Sequence, residues 1–252
     1  MPQIAAVQCV AFDVGETLID ETRIWSRWAD RLGVTRLTML GVLGGMAALD
    51  RPHLDAFMIV RPDVDVEAEL ARWEVDDPDG LRAGFNEMDL YDDVRSCLSA
   101  LHRSGRRVVI AGNQPPEARA ALEAMKLDVD AILISDELDA QKPSAPFFAA
   151  VAEAAGVEPG GIAYVGDRLD NDVLPARRAG MRTVLLRRGP WGHLHAERPD
   201  AALADVVTDS LLDLPRLLDE LGPAPPSGRD SYPRGLRPRE PPEDLGGNRR
   251  SR

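Results

Sequence analysis

The stretch Val10-Ala11-Phe12-Asp13-Val14-Gly15-Glu16-Thr17-Leu18, VAFDVGETL, decides how this chain is read. An apolar run of strand length ends on a single carboxylate, and a glycine follows two residues later. A buried strand that delivers one Asp to its C-terminal tip places a nucleophile at a sheet edge. The same kind of apolar run, bounded by Gly, Asp or Asn, recurs in IAAVQCVAFDV, RRVVIAGN, AILIS, IAYVGD and RTVLLRR. These runs are continuous rather than alternating, as in parallel strands covered on both faces.

Helical patterns separate the runs, over Asp92–Arg103, Pro116–Met125, Phe147–Ala155 and Leu174–Ala179, and each ends at a Gly or a turn. Strand alternating with helix predicts a doubly wound α/β fold with its sites at the carboxyl ends of the strands. Between Leu18 and Tyr91 no strand is expected. Helices are expected there over Thr22–Leu32, Thr35–Ala48, His53–Met58, Val66–Trp73 and Pro78–Met88, a segment too long for a loop. The expected division is a core of residues 1–18 and 91–222, a helical insertion over 19–90, and a disordered Pro/Arg-rich tail over 223–252.

The 252 residues carry a net charge of -12, with 44% hydrophobic and 29% charged residues. From Pro223 onward seven Arg face four acidic residues, so the tail is +3 and residues 1–222 are -15. A body this acidic repels phosphate backbones, which argues against nucleic-acid binding. No stretch reaches the roughly 20 apolar residues that span a bilayer, so no membrane role is expected. The first ten residues lack a basic segment, and two cysteines, Cys9 and Cys97, form neither a disulfide framework nor a metal motif. Both are expected to be buried thiols in a cytoplasmic protein. Oligomeric state is not legible.

Four pieces stand at strand ends in a fixed order: Asp13, then Gly112-Asn113, then Lys142-Pro143, then Gly166-Asp167 with Asp170 and Asp172 behind it. In this order, over Val7 to Leu186, they resemble the haloacid dehalogenase superfamily. Its elements are an early DxDxT, a Ser/Thr strand end, a Lys, and a GDxxxD or GDxxxxD. The resemblance implies a Rossmann-like core with a helical cap inserted after the first strand. It also implies a Mg²⁺-dependent phosphatase for a small phosphorylated substrate, working through an aspartyl-phosphate. Asp13 is then the nucleophile and a metal ligand, with the Gly15 carbonyl and Asp167 as further ligands. Asp172 belongs to the same metal site and orients ligand waters, helped by Asp170 or Asn171. Lys142 neutralises the transferring group, and Gly112 and Asn113 meet the phosphoryl oxygens. Lys142 is one of two lysines, with Lys126, beside 28 arginines.

Two positions depart from the pattern. Phosphatases of the family carry an Asp where this chain has Gly15, and that Asp protonates the leaving oxygen. Losing such an acid typically costs ~10²–10⁴-fold in rate. Gly112 stands where a Ser/Thr is usual. An Asp at position 15 is expected to find room. Glu16, Glu21, Asp20 and Arg23 are the residues that could replace the acid. A phosphonatase needs a Schiff-base Lys in the inserted segment, which has none. A dehalogenase needs no metal, yet Asp167 and Asp172 are kept. The rival reading is a weakened member that binds a phosphorylated ligand or a protein partner without turnover. Trp25, Trp28 and Trp73 read as packing, and His193 and His195 as loop histidines.

Overall fold

The computed structural model describes residues 7–76 and 84–221. The expected tail lies outside them, as does 78–83 of the helix expected over Pro78–Met88; the rest of that helix holds only a 3₁₀ turn, Glu87–Asp89.

Six parallel strands form one sheet: β1 (Cys9–Phe12), β2 (Arg107–Gly112), β3 (Ala131–Ile134), β4 (Ile162–Gly166), β5 (Arg182–Leu186) and β6 (Val206–Thr208), in the order β3-β2-β1-β4-β5-β6. β1 lies at the centre and is buried along its whole length. Val10 and Phe12 point into one layer with Ile110, Leu98 and Leu122. Cys9 and Ala11 point into the other with Phe147, Phe148 and Tyr164. Both faces are apolar, which is why the strand shows no alternation. Truncating Phe12 to Ala would cost roughly 3–5 kcal/mol. Both cysteines are buried, and desolvation raises their thiols, that of Cys9 to about 11 and that of Cys97 to about 12.

The described helices are α1 (Thr22–Leu32), α2 (Arg36–Ala48), α3 (Asp55–Val60), α4 (Val66–Asp76), α5 (Val94–Arg103), α6 (Glu117–Ala124), α7 (Ser135–Leu138), α8 (Ala145–Ala155), α9 (Leu174–Arg178), α10 (Gly189–Ala196) and α11 (Leu214–Glu220). None of them is long and apolar enough to cross a membrane. The first four enclose their own apolar cluster around Trp28, Met39, Leu43, Phe57 and Trp73. Trp28 meets Phe57 and Trp73 edge-on, with ring centroids 4.7 and 5.1 Å apart. Trp191 of α10 joins that cluster, so the inserted helices rest on the sheet-bearing part of the chain there.

The chain leaves and re-enters the core at one place. Asp20 N–H donates to the Asp89 carbonyl at 2.8 Å, and Tyr91 N–H to the Leu18 carbonyl at 3.0 Å. Single bridges join Gly15 to Ile19 and Ile19 to Leu90. These are isolated bridges, and among the described residues between Leu18 and Tyr91 no strand forms. Among the described residues β6, α7, α10 and α11 were not expected. β6 has only three residues, too few for a pattern to register. The GPWGHLHA segment is helix α10, not a loop; Pro at its second position suits a helix start, and its two glycines and eight-residue length hide the helix in the sequence.

Candidate active site

The sheet's register brings the strand ends together. Phe12 pairs with Ile110 on one side and Val165 on the other, so Asp13 falls level with Gly166 and one residue short of Asp167. Asp13 N–H continues the ladder by donating to the Val165 carbonyl at 2.9 Å. The strand order reverses between β1 and β4, and in doubly wound sheets that switch point opens the ligand crevice. Asp13 and Asp167 face each other across it.

Carboxylate oxygens of Asp13, Asp167 and Asp172 lie within 4.8 Å of one another, and all three residues are buried. Lys142 is buried among them, its Nζ 2.6 Å from Asp13 Oδ1 and 2.7 Å from Asp172 Oδ1. Desolvation opposes its charge, but Asp13 and Asp172 outweigh that and hold the ammonium well above its ordinary pKa. Asp172 uses its other oxygen to accept the Arg168 N–H at 3.0 Å. A single π turn over Leu169–Val173 folds Asp172 back toward its strand. A Cβ on Gly166 would lie 2.4 Å from the Asp172 carboxyl carbon, so only glycine fits beneath it.

Three buried carboxylates against one ammonium leave an excess of negative charge. Burial first, then Asp172 and Asp13, push the Asp167 carboxyl well above its usual range. A hard divalent cation between Asp13 and Asp167 would relieve that repulsion with the oxygen ligands it prefers. The donor set therefore fits a metal.

Asn113 sits at the mouth of β2, where its side chain braces the Lys142 main chain. Its amide donates to the Lys142 carbonyl at 3.0 Å, and its Oδ1 accepts the Lys142 N–H at 2.7 Å. Gly112 is tightly covered: a Cβ there would lie 2.8 Å from Val14 Cγ2 and 3.1 Å from Asp13 Oδ1. Asp170, expected with Asn171 as a helper in orienting ligand waters, pairs with Arg168 at 2.6 Å, and Arg168 lies over the Trp191 ring at 4.9 Å. His195 is fully buried and accepts the Leu169 N–H on Nδ1 at 2.9 Å, so it props the loop behind Asp167.

At position 15 the space an Asp would need is taken by a side chain that would have to move aside. A Cβ on Gly15 would lie 2.3 Å from Glu21 Oε1 and 2.9 Å from its Cδ. The Glu21 carboxyl occupies that volume. Burial, then the neighbouring charge of Glu16, push it up to about 7, with Asp13 and Asp20 adding to the rise. Trp25, read as a packing residue, also donates its indole N–H to Glu21 Oε2 at 3.1 Å. The signal for this pairing was a missing acid at 15 and a spare one six residues on, but only folding brings the two together.

Known proteins provide a second line of comparison. Residues 7–180 match the model of the haloacid dehalogenase-like hydrolases. The chain is 27% identical over 220 residues to the phosphoglycolate phosphatase of Vibrio vulnificus, which covers 82% of this chain and 94% of that one. It is 42% identical over 89 residues to the glyceraldehyde 3-phosphate phosphatase of Methanopyrus kandleri, but there it spans about a third of either chain, 35% and 36%. Among solved structures, L-2-haloacid dehalogenase from Xanthobacter autotrophicus superposes with a TM-score of 0.57 at 20% identity, over 86% of this chain and 100% of that one. Phosphatases and a dehalogenase thus share this architecture, and the fold alone does not choose the chemistry. The family model spans well over half of the chain and takes in every strand-end residue described above, so the protein belongs to the haloacid dehalogenase-like hydrolases.

Proposed function

We propose that this protein is a Mg²⁺-dependent phosphatase acting on a small phosphorylated metabolite through an aspartyl-phosphate on Asp13. The observation that carries the reading is the gathering of Asp13, Asp167 and Asp172 at the switch point of the sheet, with the Lys142 ammonium on Asp13 and Asp172. The relatives named for phosphoglycolate and glyceraldehyde 3-phosphate support a substrate of that size and charge.

In this reading Asp13 Oδ attacks phosphorus in line. Lys142 holds the nucleophile in place and offsets charge on the transferring group, and Asn113 fixes Lys142 through its main chain. Asp13, the Gly15 carbonyl and Asp167 would hold the cation, with Asp172 orienting its surroundings; the bound ion would spread the charge of the phosphoryl oxygens. With Gly112 carrying no hydroxyl, main-chain N–H groups at the end of β2 are the donors left to meet those oxygens. Residues 19–90 act as a cap that selects the substrate. A dehalogenase is disfavoured by the excess of carboxylates, which a metal-free site would leave unbalanced.

A screen of phosphorylated metabolites with Mg²⁺, using Asp13→Asn as the blank, tests the proposal. Turnover that disappears in the variant and on chelation is expected. A wild-type protein with no Asp13-dependent phosphate release on any member of the panel would overturn it.

A further inference from the structure

Position 15 lacks the carboxyl that would protonate a leaving oxygen, and four charged residues follow it within eight positions. Three are committed elsewhere. Glu16 accepts the Glu21 N–H on Oε1 at 3.0 Å and the Tyr91 O–H on Oε2 at 2.6 Å. Asp20 accepts the Thr22 N–H at 2.8 Å. Arg23 forks onto Asp89 and reaches Asn86 Oδ1 at 2.9 Å.

Glu21 remains, and its local geometry is unusual. It occupies the N-cap of α1, where an acidic side chain ordinarily accepts an N–H of the first turn. Here it makes no such bond. The Trp25 indole holds Oε2 instead and leaves Oε1 over Gly15, in the volume an Asp side chain would otherwise fill. Among the described residues Oε1 accepts no hydrogen bond. A carboxyl oxygen held still, without a partner, beside the nucleophile's loop is placed for a ligand.

We propose that Glu21 is the general acid–base of this enzyme, supplied from the start of the inserted helices in place of the residue missing at Gly15. The inference rests on the phosphatase reading above. In the first half-reaction an Asp13 oxygen bonds to phosphorus while the bond from phosphorus to the leaving oxygen breaks. The electron pair stays on that oxygen, which takes the Glu21 proton and departs as an alcohol. In the second, the Glu21 carboxylate takes a proton from water as the water oxygen bonds to phosphorus. The phosphorus–Asp13 bond breaks, its electrons return to the carboxylate, and inorganic phosphate leaves. One water is consumed and Glu21 ends protonated, as it began. Trp25 and Glu16 are positioning residues for this carboxyl.

Two measurements test the assignment. The first is a thermal-denaturation cycle of Gly15→Asp, Glu21→Ala and the double variant. Gly15→Asp should lower Tm in the wild-type background by several-fold more than in the Glu21→Ala background, because the two side chains compete for one space. An equal drop in both would overturn the geometry. The second compares kcat/KM for phenyl phosphate and p-nitrophenyl phosphate with Mg²⁺, since this ratio reports steps up to enzyme phosphorylation. Glu21→Gln should lose on the order of 10²-fold on phenyl phosphate, whose leaving oxygen is the more basic, and less than about tenfold on p-nitrophenyl phosphate. Gly15→Asp/Glu21→Ala should recover part of what Glu21→Ala loses on phenyl phosphate. Equal losses on both substrates in a folded variant would overturn the acid role while leaving the hydrolase intact. A wild-type protein with no Asp13-dependent turnover would overturn the hydrolase reading, and this inference with it.

Discussion

The Lys142 ammonium lies 2.6 Å from the Asp13 carboxylate in a place closed to solvent on both sides, with the Lys142 side chain 1% and the Asp13 side chain 10% exposed. An ion pair this deep is held by geometry and by its other partners, because desolvating each charge costs several kcal/mol. Removing one member strands the rest. Lys142→Ala would leave Asp13 and Asp172 without their cation, so a destabilisation of roughly 3–5 kcal/mol is expected. Lys142→Met, which fills the same space, should be destabilised similarly, because the lost charge and not the lost volume is the cause. Chemical denaturation of the two variants distinguishes these causes; recovery in the Met variant would show that packing dominates.

Burial first, then Asp172 and Asp13, raise the Asp167 carboxyl well above its usual range. Asp167→Asn should therefore raise Tm in the absence of divalent ions. Mg²⁺ should raise the wild-type Tm, since a ligand that binds only the native state adds RT ln(1 + [L]/Kd) of stability. The variant should lose most of that shift. A full Mg²⁺ shift in Asp167→Asn would place the ion elsewhere.

Gly112 cannot simply be given the hydroxyl its position usually bears. A Cβ there would lie 2.8 Å from Val14 Cγ2, closer than carbon atoms pack. Gly112→Ser alone should lower both Tm and activity, by about 1–3 kcal/mol in stability. Combining it with Val14→Ala should recover stability and raise kcat/KM above that of the single variant. Measuring Tm and kcat/KM on both proteins decides this, and no recovery in the double variant would mean the obstruction lies elsewhere.

His195 links the site to pH. Burial lowers it from 6.5 to about 4, Asp170 and Asp50 pull it up, and Arg198 and Arg168 push it down. Its Nδ1 accepts the Leu169 N–H, which requires the neutral ring. The folded pKa lies below the unfolded one, so the unfolded chain binds more protons between these values. The stability His195 confers is complete above about pH 6.5 and falls as pH drops toward 4, by roughly 3 kcal/mol at most. His195→Asn should flatten the dependence of Tm on pH across that window; an unchanged slope would exclude His195 as its source.

Much of the architecture could be read from residue order alone. Continuous apolar runs such as VVIAG and IAYVG specify parallel strands because both faces of this sheet are covered. Strand ends specify a site because side chains there leave the sheet together. Asp13 and Asp167 could be grouped that way, whereas Lys142 and Asp172, in a turn beyond β3 and in the π turn beyond β4, joined them through the motif order that resembles the family. β6 and α10 were not legible, since three residues and a short helix with two glycines and a proline carry too little periodicity.

What sequence could not decide was every question of who fills whose space. Glu21 was one of four residues that could stand in for the missing acid, and residue type alone does not separate it from Glu16 or Asp20. The choice is made by Tyr91, which engages Glu16 from 75 residues away, and by Trp25, which turns Glu21 off its helix and over Gly15. The same holds for Asn113, committed to the Lys142 main chain, and for Gly166, kept bare by the Asp172 carboxylate. Local pattern determined which residue types reach the crevice, because strand and helix periods are properties of a few adjacent residues. Long-range packing decided which oxygen points where, because a side chain's direction is set by neighbours that only folding supplies.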